Sequence, residues 1–315
     1  MQPSSRVPPM GSSADDPATA AGSPQRLVER WLLPALAAIL PWRACFRVYR
    51  AVARASWPFR AETNAAHAAA ARYLDPGDAA RWRRTHRLVR LVDQADYYLS
   101  RYRGDHWLDR HVLTHGAWPG RGEPFLALGY HWGAGLWALR SLRRAGHGAA
   151  FLSAEVDARQ LGVGGVALRQ ARRRMRELER AGGLAPIYLG GASAAMQAVF
   201  TQGDVVVALI DVPPRAGQGT APVTLLGRAA RLPDGLLRLA QRERVPLVPF
   251  AMGVDPASGE RRLDIGAPIA VAEVDAAARA VAAHFDPLLA RESAAWHLWP
   301  QADAFFDPSR GETAR

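Results

Sequence analysis

The sequence predicts an α/β protein with a mixed, mostly parallel central sheet flanked by helices and a basic helical region ahead of it. Three observations carry this. From Pro124 onward, short apolar runs alternate with helical patterns, the rhythm of strands joined by crossover helices. The runs lack polar alternation, as expected of strands covered on both faces. The chain has 315 residues, 49% hydrophobic and 22% charged, which suits a folded protein able to bury roughly three quarters of its unfolded surface.

Residues 1–26 mix Pro, Ser, Gly and Ala with almost no large apolar residue, and are expected to be a disordered tail without the pattern of a secretory signal. Residues 27–60 form a basic amphipathic segment. Trp31 to Trp42 contains twelve uncharged residues, about 18 Å as a helix and too short to span a hydrocarbon core of roughly 30 Å. With Trp31 and Trp42 at headgroup depth, and Arg43 and Arg47 on lipid phosphates, it would be a peripheral or shallowly inserted anchor. The competing reading is a helix packed on the protein's own core with a solvated Arg face.

Residues 61–306 are expected to form the α/β domain, with 61–118 a mostly helical lead-in and 307–315 a tail. The apolar runs fall at 124–130, 148–153, 185–190 and 204–210, with helices near 134–145, 165–181 and 192–202 between them. PVTLLG at 222–227, a helix near 233–244, strands at 246–252 and 261–266, and a helix over 270–292 complete the series less regularly. No internal repeat is present.

All 40 basic residues are Arg, which excludes Schiff-base chemistry and the lysine of a phosphate-binding P-loop. The single Cys, Cys45, excludes an internal disulfide and a Cys-rich zinc site. A formal charge of +11 favours anionic partners. His106, His111 and His115 have loose metal-like spacing, the last two sharing a face if helical, but they lack an HExxH or Cys cluster, so no metal or other cofactor is expected. Nucleic acid is not expected as a partner, because no RNA-binding signature accompanies the arginines. LGVGGVAL at 161–168 lacks the order of a dinucleotide loop.

In an open α/β sheet the reactive crevice lies beyond the carboxyl ends of the strands. His131 follows the first apolar run, Glu155 and Asp157 follow the second, and Asp211 follows the run at 204–210. If those strands are parallel neighbours, an imidazole and a carboxylate meet there, the pairing that general-base catalysis requires. HWGAG at 131–135 supplies glycines for a turn and amides that could hold an anion. In the helix from 166 to 183, Leu168, Ala171, Met175 and Leu178 share a core stripe, while Arg169, Arg173, Arg176 and Arg180 lie opposite as a solvated face. Arg172 and Arg174 fall at its margins, and Arg174 is the favoured candidate for binding a phosphate or developing oxyanion.

The order of these motifs, from the strand ending in His131 through the Arg-rich helix and Asp211 to RLPDGLLRLAQRERVPLVPF, with WHLWPQADAFF at 296–306, resembles the lipid A biosynthesis acyltransferases, the late lauroyl and myristoyl transferases. The resemblance runs from about residue 27 to 306. It implies a glycerolipid acyltransferase-like fold on the cytoplasmic face of the inner membrane. The implied reaction moves an acyl chain from an acyl carrier protein or coenzyme A thioester, used as co-substrate, to a hydroxyl of a phospholipid or glycolipid. His131 would be the base and Arg174, or the amides at 133–135, would steady the oxyanion. The family's dyad places an acid five residues after the His, where this chain has Leu136, and no acid stands at that spacing from any of the nine His. Asp211, then Glu155, are the expected substitutes. A non-catalytic lipid- or carrier-binding descendant is the alternative.

Overall fold

The computed structural model describes residues 24–133, 135–154, 165–214 and 217–306. Seven strands form the central sheet: β1 (Val112–His115), β2 (Phe125–Gly129), β3 (Ala149–Ser153), β4 (Ile187–Tyr188), β5 (Val205–Leu209), β8 (Leu247–Val254) and β9 (Arg261–Ile265). Their order is β1-β9-β8-β2-β5-β3-β4. Strands β8, β2, β5, β3 and β4 run parallel, β9 is antiparallel to β8, and β1 is parallel to β9. Every residue of β2 and β8 is buried, as their uninterrupted apolar sequence requires of strands covered on both faces. The expected mixed, mostly parallel α/β sheet is therefore the architecture observed.

The helices are α1 (Pro24–Leu27), continued by a π-helical turn at Val28–Leu32, α2 (Leu33–Ile39), α3 (Trp42–Val52), α4 (Arg60–Ala70), α5 (Ala79–Tyr102), α6 (Asp105–His111), α7 (Leu136–Arg144), α8 (Gly165–Gly182), α9 (Ala192–Thr201), α10 (Gly235–Glu243), α11 (Val274–Arg291) and α12 (Asp303–Phe306). Two strands depart from expectation. β1 interrupts the helical lead-in: it is a four-residue edge strand with three exposed positions, and so short a segment carries no readable periodicity. β7 (Arg228–Pro233) pairs with β6 (Thr220–Leu225) in a separate antiparallel hairpin. Leu226 and Gly227 turn it with φ of 53° and 69°, a primed-type geometry that the word Leu-Gly announces poorly.

The N-terminal segment is helical from Pro24, within the stretch expected to be tail, and it breaks at Leu40-Pro41, where Leu40 turns to extended backbone. Among the described residues no helix is long and apolar enough to cross a membrane. Trp42 does not lie at a headgroup level. It is buried with Phe46 and Tyr49, donates its indole N–H to the carbonyl of Gly259 at 3.1 Å, and stacks under Arg261. The apolar stripe of α3 thus packs on the protein's own core, and Arg43 and Arg47 form its exposed side. Trp31 is half-buried, with the Arg173 guanidinium over its ring.

The interior helix is α5. Asp78 caps it by accepting from the amides of Ala80 and Arg81. Leu88, Leu91, Val92, Ala95 and Leu99 bury one face. A second stripe at helical spacing is buried and polar: Trp82, His86, Asp93, Asp96 and Ser100. Each finds a partner, as buried polar groups must: Ser293, the Ala294 carbonyl, Arg174, Arg261 and Glu177 respectively.

Candidate active site

Strands β2 and β5 are parallel neighbours in a register that aligns Gly129 with Leu209. Two residues past each, His131 and Asp211 leave the sheet at the same level. The Asp211 carboxylate is 1% exposed, and its Oδ1 lies 2.9 Å from His131 Nδ1. A carboxylate only accepts, so Nδ1 carries the hydrogen and the Nε2 lone pair is free to take a proton. The imidazole is 30% exposed, and its Nε2 has no hydrogen bond among the described residues.

Asp211 is held from three directions. The backbone N–H of His131 donates to it at 2.8 and 3.0 Å, and the indole of Trp296 donates to Oδ2 at 2.7 Å. Trp296 arrives there because the C-terminal segment pairs antiparallel with the chain leaving β2. Gly133 N donates to the Ala295 carbonyl at 3.1 Å and His297 N to the His131 carbonyl at 2.8 Å, around the Trp132–Trp296 bridge. Gly133 permits that approach. Its φ is 56°, and a Cβ there would stand 2.1 Å from the Met252 carbonyl oxygen.

A second carboxylate, Asp93 of α5, faces the site and forms a two-pronged pair with Arg174 of α8, at 3.1 and 3.5 Å. Burial opposes charge on His131. The field and hydrogen bond of Asp211, with Asp93 behind them, outweigh both burial and the nearby Arg174 charge, so the pKa is raised above the ordinary histidine value. His297 and His86 are in the opposite state. Burial first, then neighbouring positive charge, lowers His297 to about 4 and His86 to about 3. Both are neutral at pH 7, leaving His131 as the basic imidazole of the three.

His131 and Asp211 are therefore brought together as expected, and Arg174 lies within electrostatic reach of them. Glu155 and Asp157 lie outside the described residues. The amide of Gly133 is not free to hold an anion, because it already donates to Ala295. Arg172 is exposed while Arg174 is half-buried. Two members of the expected solvated face are engaged: Arg173 over Trp31, and Arg180 with Glu177 and the Ser100 carbonyl. His111 ends α6 and His115 ends β1, so they share no helix face.

Asp93, Trp296 and His297 were not among the sequence candidates. Asp93 carried a usable signal, since two acids in LVRLVDQADYYL fall on a helix stripe with Trp82 and His86. Trp296 carried none, as its role depends on a return of the chain from 85 residues away. Leu136 opens α7 as a buried apolar residue, and the carboxylate that bonds His131 is that of Asp211, which follows β5. The arrangement is a base with an orienting acid. Among the described residues no Ser or Cys side chain bonds His131. No protein-family model matches the chain, and no curated protein matches it.

Proposed function

We propose that the protein is an acyltransferase that moves an acyl chain from a carrier protein or coenzyme A thioester to a lipid or glycolipid hydroxyl. The observation that carries this is the 2.9 Å bond between the Asp211 carboxylate and His131 Nδ1 at the carboxyl edge of the sheet. It supplies the acid missing at Leu136, and with it the one feature in which the chain departed from the acyltransferase resemblance.

In the reaction, Nε2 of His131 removes the proton of the acceptor hydroxyl as its oxygen attacks the thioester carbonyl. Asp211 stabilises the imidazolium so formed. The Arg174 guanidinium, 42% exposed and held in place by Asp93, faces the tetrahedral oxyanion. When the intermediate collapses, the carbon–sulfur bond breaks and the thiolate takes the proton back from Nε2. The ester and free thiol leave, and His131 is neutral again.

Peripheral attachment to the cytoplasmic face of an inner membrane belongs to the same proposal. Its support is now the exposed apolar set Leu27, Leu32 and Ile39, the last 78% exposed, beside the arginines of α3. Trp42 no longer contributes.

The deciding experiment offers mixed acyl thioesters and a total lipid extract to the intact protein and to His131→Ala, with products read by mass spectrometry. A new acyl-lipid made by the intact protein and lost in the variant is expected. Turnover by the variant near that of the intact protein would overturn the assignment of the base. No product from an intact protein that still binds thioesters would favour a non-catalytic binding protein, with Leu136 the mark of a lost activity.

A further inference from the structure

His297 is an imidazole beside the site that the catalytic reading leaves without a task. Around the Trp132–Trp296 bridge it stands opposite His131 in an antiparallel pair, so the two side chains start from one face with Cβ atoms about 4.5–5.5 Å apart. It grips the turn that carries the base at two points. Its backbone N–H donates to the His131 carbonyl at 2.8 Å, and its Nε2 lies 3.0 Å from the Gly133 carbonyl oxygen.

A carbonyl oxygen only accepts, so Nε2 of His297 carries the hydrogen and Nδ1 the lone pair. Nδ1 is buried and has no partner among the described residues, and burial keeps the ring neutral. The side chain is thus a single donor, and its hydrogen goes to the turn.

The turn depends on few bonds. It belongs to no helix and to no strand beyond the one bridge. The N–H of His131 goes to Asp211, that of Trp132 to the Tyr130 carbonyl at 2.6 Å and that of Gly133 to the Ala295 carbonyl. These fix the amide groups of the three residues, and His297 holds the carbonyls at both ends. The segment that delivers His297 is itself held by α5. Trp82 donates to Ser293 Oγ at 2.9 Å, His86 Nδ1 bonds the Ala294 carbonyl at 2.9 Å, and the His86 ring lies 6.4 Å from that of His297.

We infer that His297 is a positioning residue for the base: by holding the Gly133 carbonyl, its Nε2–H fixes where His131 Nε2 presents its lone pair to the acceptor hydroxyl. The assignment of a rate effect rests on the acyl-transfer reading; the fixing of the ring does not. A base displaced by about 1 Å loses about a hundredfold in rate. A neutral ring also suits the place, since a cation there would oppose the imidazolium that forms on His131.

The test compares the full chain with His297→Leu, which fills the volume and donates nothing, and with His297→Gln, whose amide N–H reaches the position of Nε2 and is neutral. His297→Asn, whose amide stops at the position of Nδ1, is the second non-donating variant if His297→Leu does not fold. Two quantities are read: kcat and KM with the thioester and lipid that the intact protein turns over, and, by NMR of chain labelled with ¹⁵N-histidine, the solvent exchange of the His131 Nδ1–H bonded to Asp211. Without the donor, kcat should fall about ten- to a hundredfold with KM within about twofold. Exchange should quicken at least about tenfold, as expected where a local bond no longer resists opening. His297→Gln should recover most of both. Exchange that stays slow in the non-donating variant would overturn the inference whatever the rates. So would a His297→Gln variant that folds yet fails as badly as His297→Leu, or a loss of kcat that only follows the fraction folded, since either makes His297 a packing residue. Exchange that responds as expected in a protein that turns over no thioester would retain the positioning and reject the acyl-transfer reading instead.

Discussion

Asp211 accepts from His131 twice, at the backbone N–H and at Nδ1, so one carboxylate fixes both the position of the residue and the tautomer of its ring. The sheet makes this possible: the two residues stand equally far beyond adjacent parallel strands. Asp211→Asn should preserve the fold while offering Nδ1 an amide in place of a carboxylate. Nε2 then becomes protonated in the neutral ring and cannot act as a base. Turnover should fall by about 10³- to 10⁴-fold, by the effect of the same change in other His–Asp pairs. A loss below tenfold would mean that His131 works without its acid.

The same pair sets the pH dependence. A general base must be neutral, and the pKa of His131 is raised, so activity should be lost as pH falls through a value above the ordinary histidine range. In Asp211→Asn the residual activity should show that acid limb at lower pH. The ring's own titration, followed by NMR, should move the same way without reference to turnover. An acid limb that stays in place would assign it to another group.

Trp296 isolates the orienting effect on the carboxylate. Trp296→Phe keeps most of the buried ring and removes the N–H donated to Asp211 Oδ2. A hydrogen bond to a charged group contributes about 1.5–3 kcal/mol, so kcat should fall by about ten- to a hundredfold with KM nearly unchanged. If KM rose in step with a fall in thermal stability and kcat held, Trp296 would be a packing residue alone.

How much of this was legible in the sequence follows from what each element depends on. The central strands were readable because burial on both faces leaves an unbroken apolar run, and His131 and Asp211 were readable because each follows such a run. Their contact was not readable: it needed β5 to insert between β2 and β3, an ordering set by long-range packing. Trp42 misled because an aromatic–arginine pattern is common to a lipid interface and to a helix packed under Arg261. β1 and β7 were missed because one is four residues at an edge and the other is rich in Ala and Arg. Asp93 was readable in principle, as a charge on a stripe with no solvent to face.

Asp93 and Arg174 act on His131 with opposite sign, the acid raising its pKa and the arginine lowering it. Asp93→Asn removes the acid's contribution and leaves the guanidinium without its counter-charge. The acid limb of the pH profile should therefore move to lower pH. Asp93→Asn with Arg174→Met should bring it part of the way back, since both charges are then gone. Equal profiles for the single and double variants would mean that the pair is structural and does not reach the imidazole.

Arg261 tests whether the site depends on a buried lock beside it. It is fully buried at the start of β9, pairs with Asp96 of α5, donates to the Gly259 carbonyl at 2.8 Å, and lies over the rings of Trp42 of α3 and Trp107 of α6, at 4.0 and 4.9 Å. One side chain thus ties three helices to the sheet edge. Arg261→Ala should cost about 3–5 kcal/mol, because it strands the Asp96 carboxylate in the core and opens a cavity between two indoles. The melting temperature should drop by about 6–15 °C. Arg261→Met with Asp96→Asn removes the stranded charge and refills the volume, so it should recover much of that loss. Asp93 lies one helical turn from Asp96, so Arg261→Ala should also reduce turnover at temperatures well below its melting point, and the paired variant should restore it. Turnover that follows only the fraction folded would separate the lock from the site.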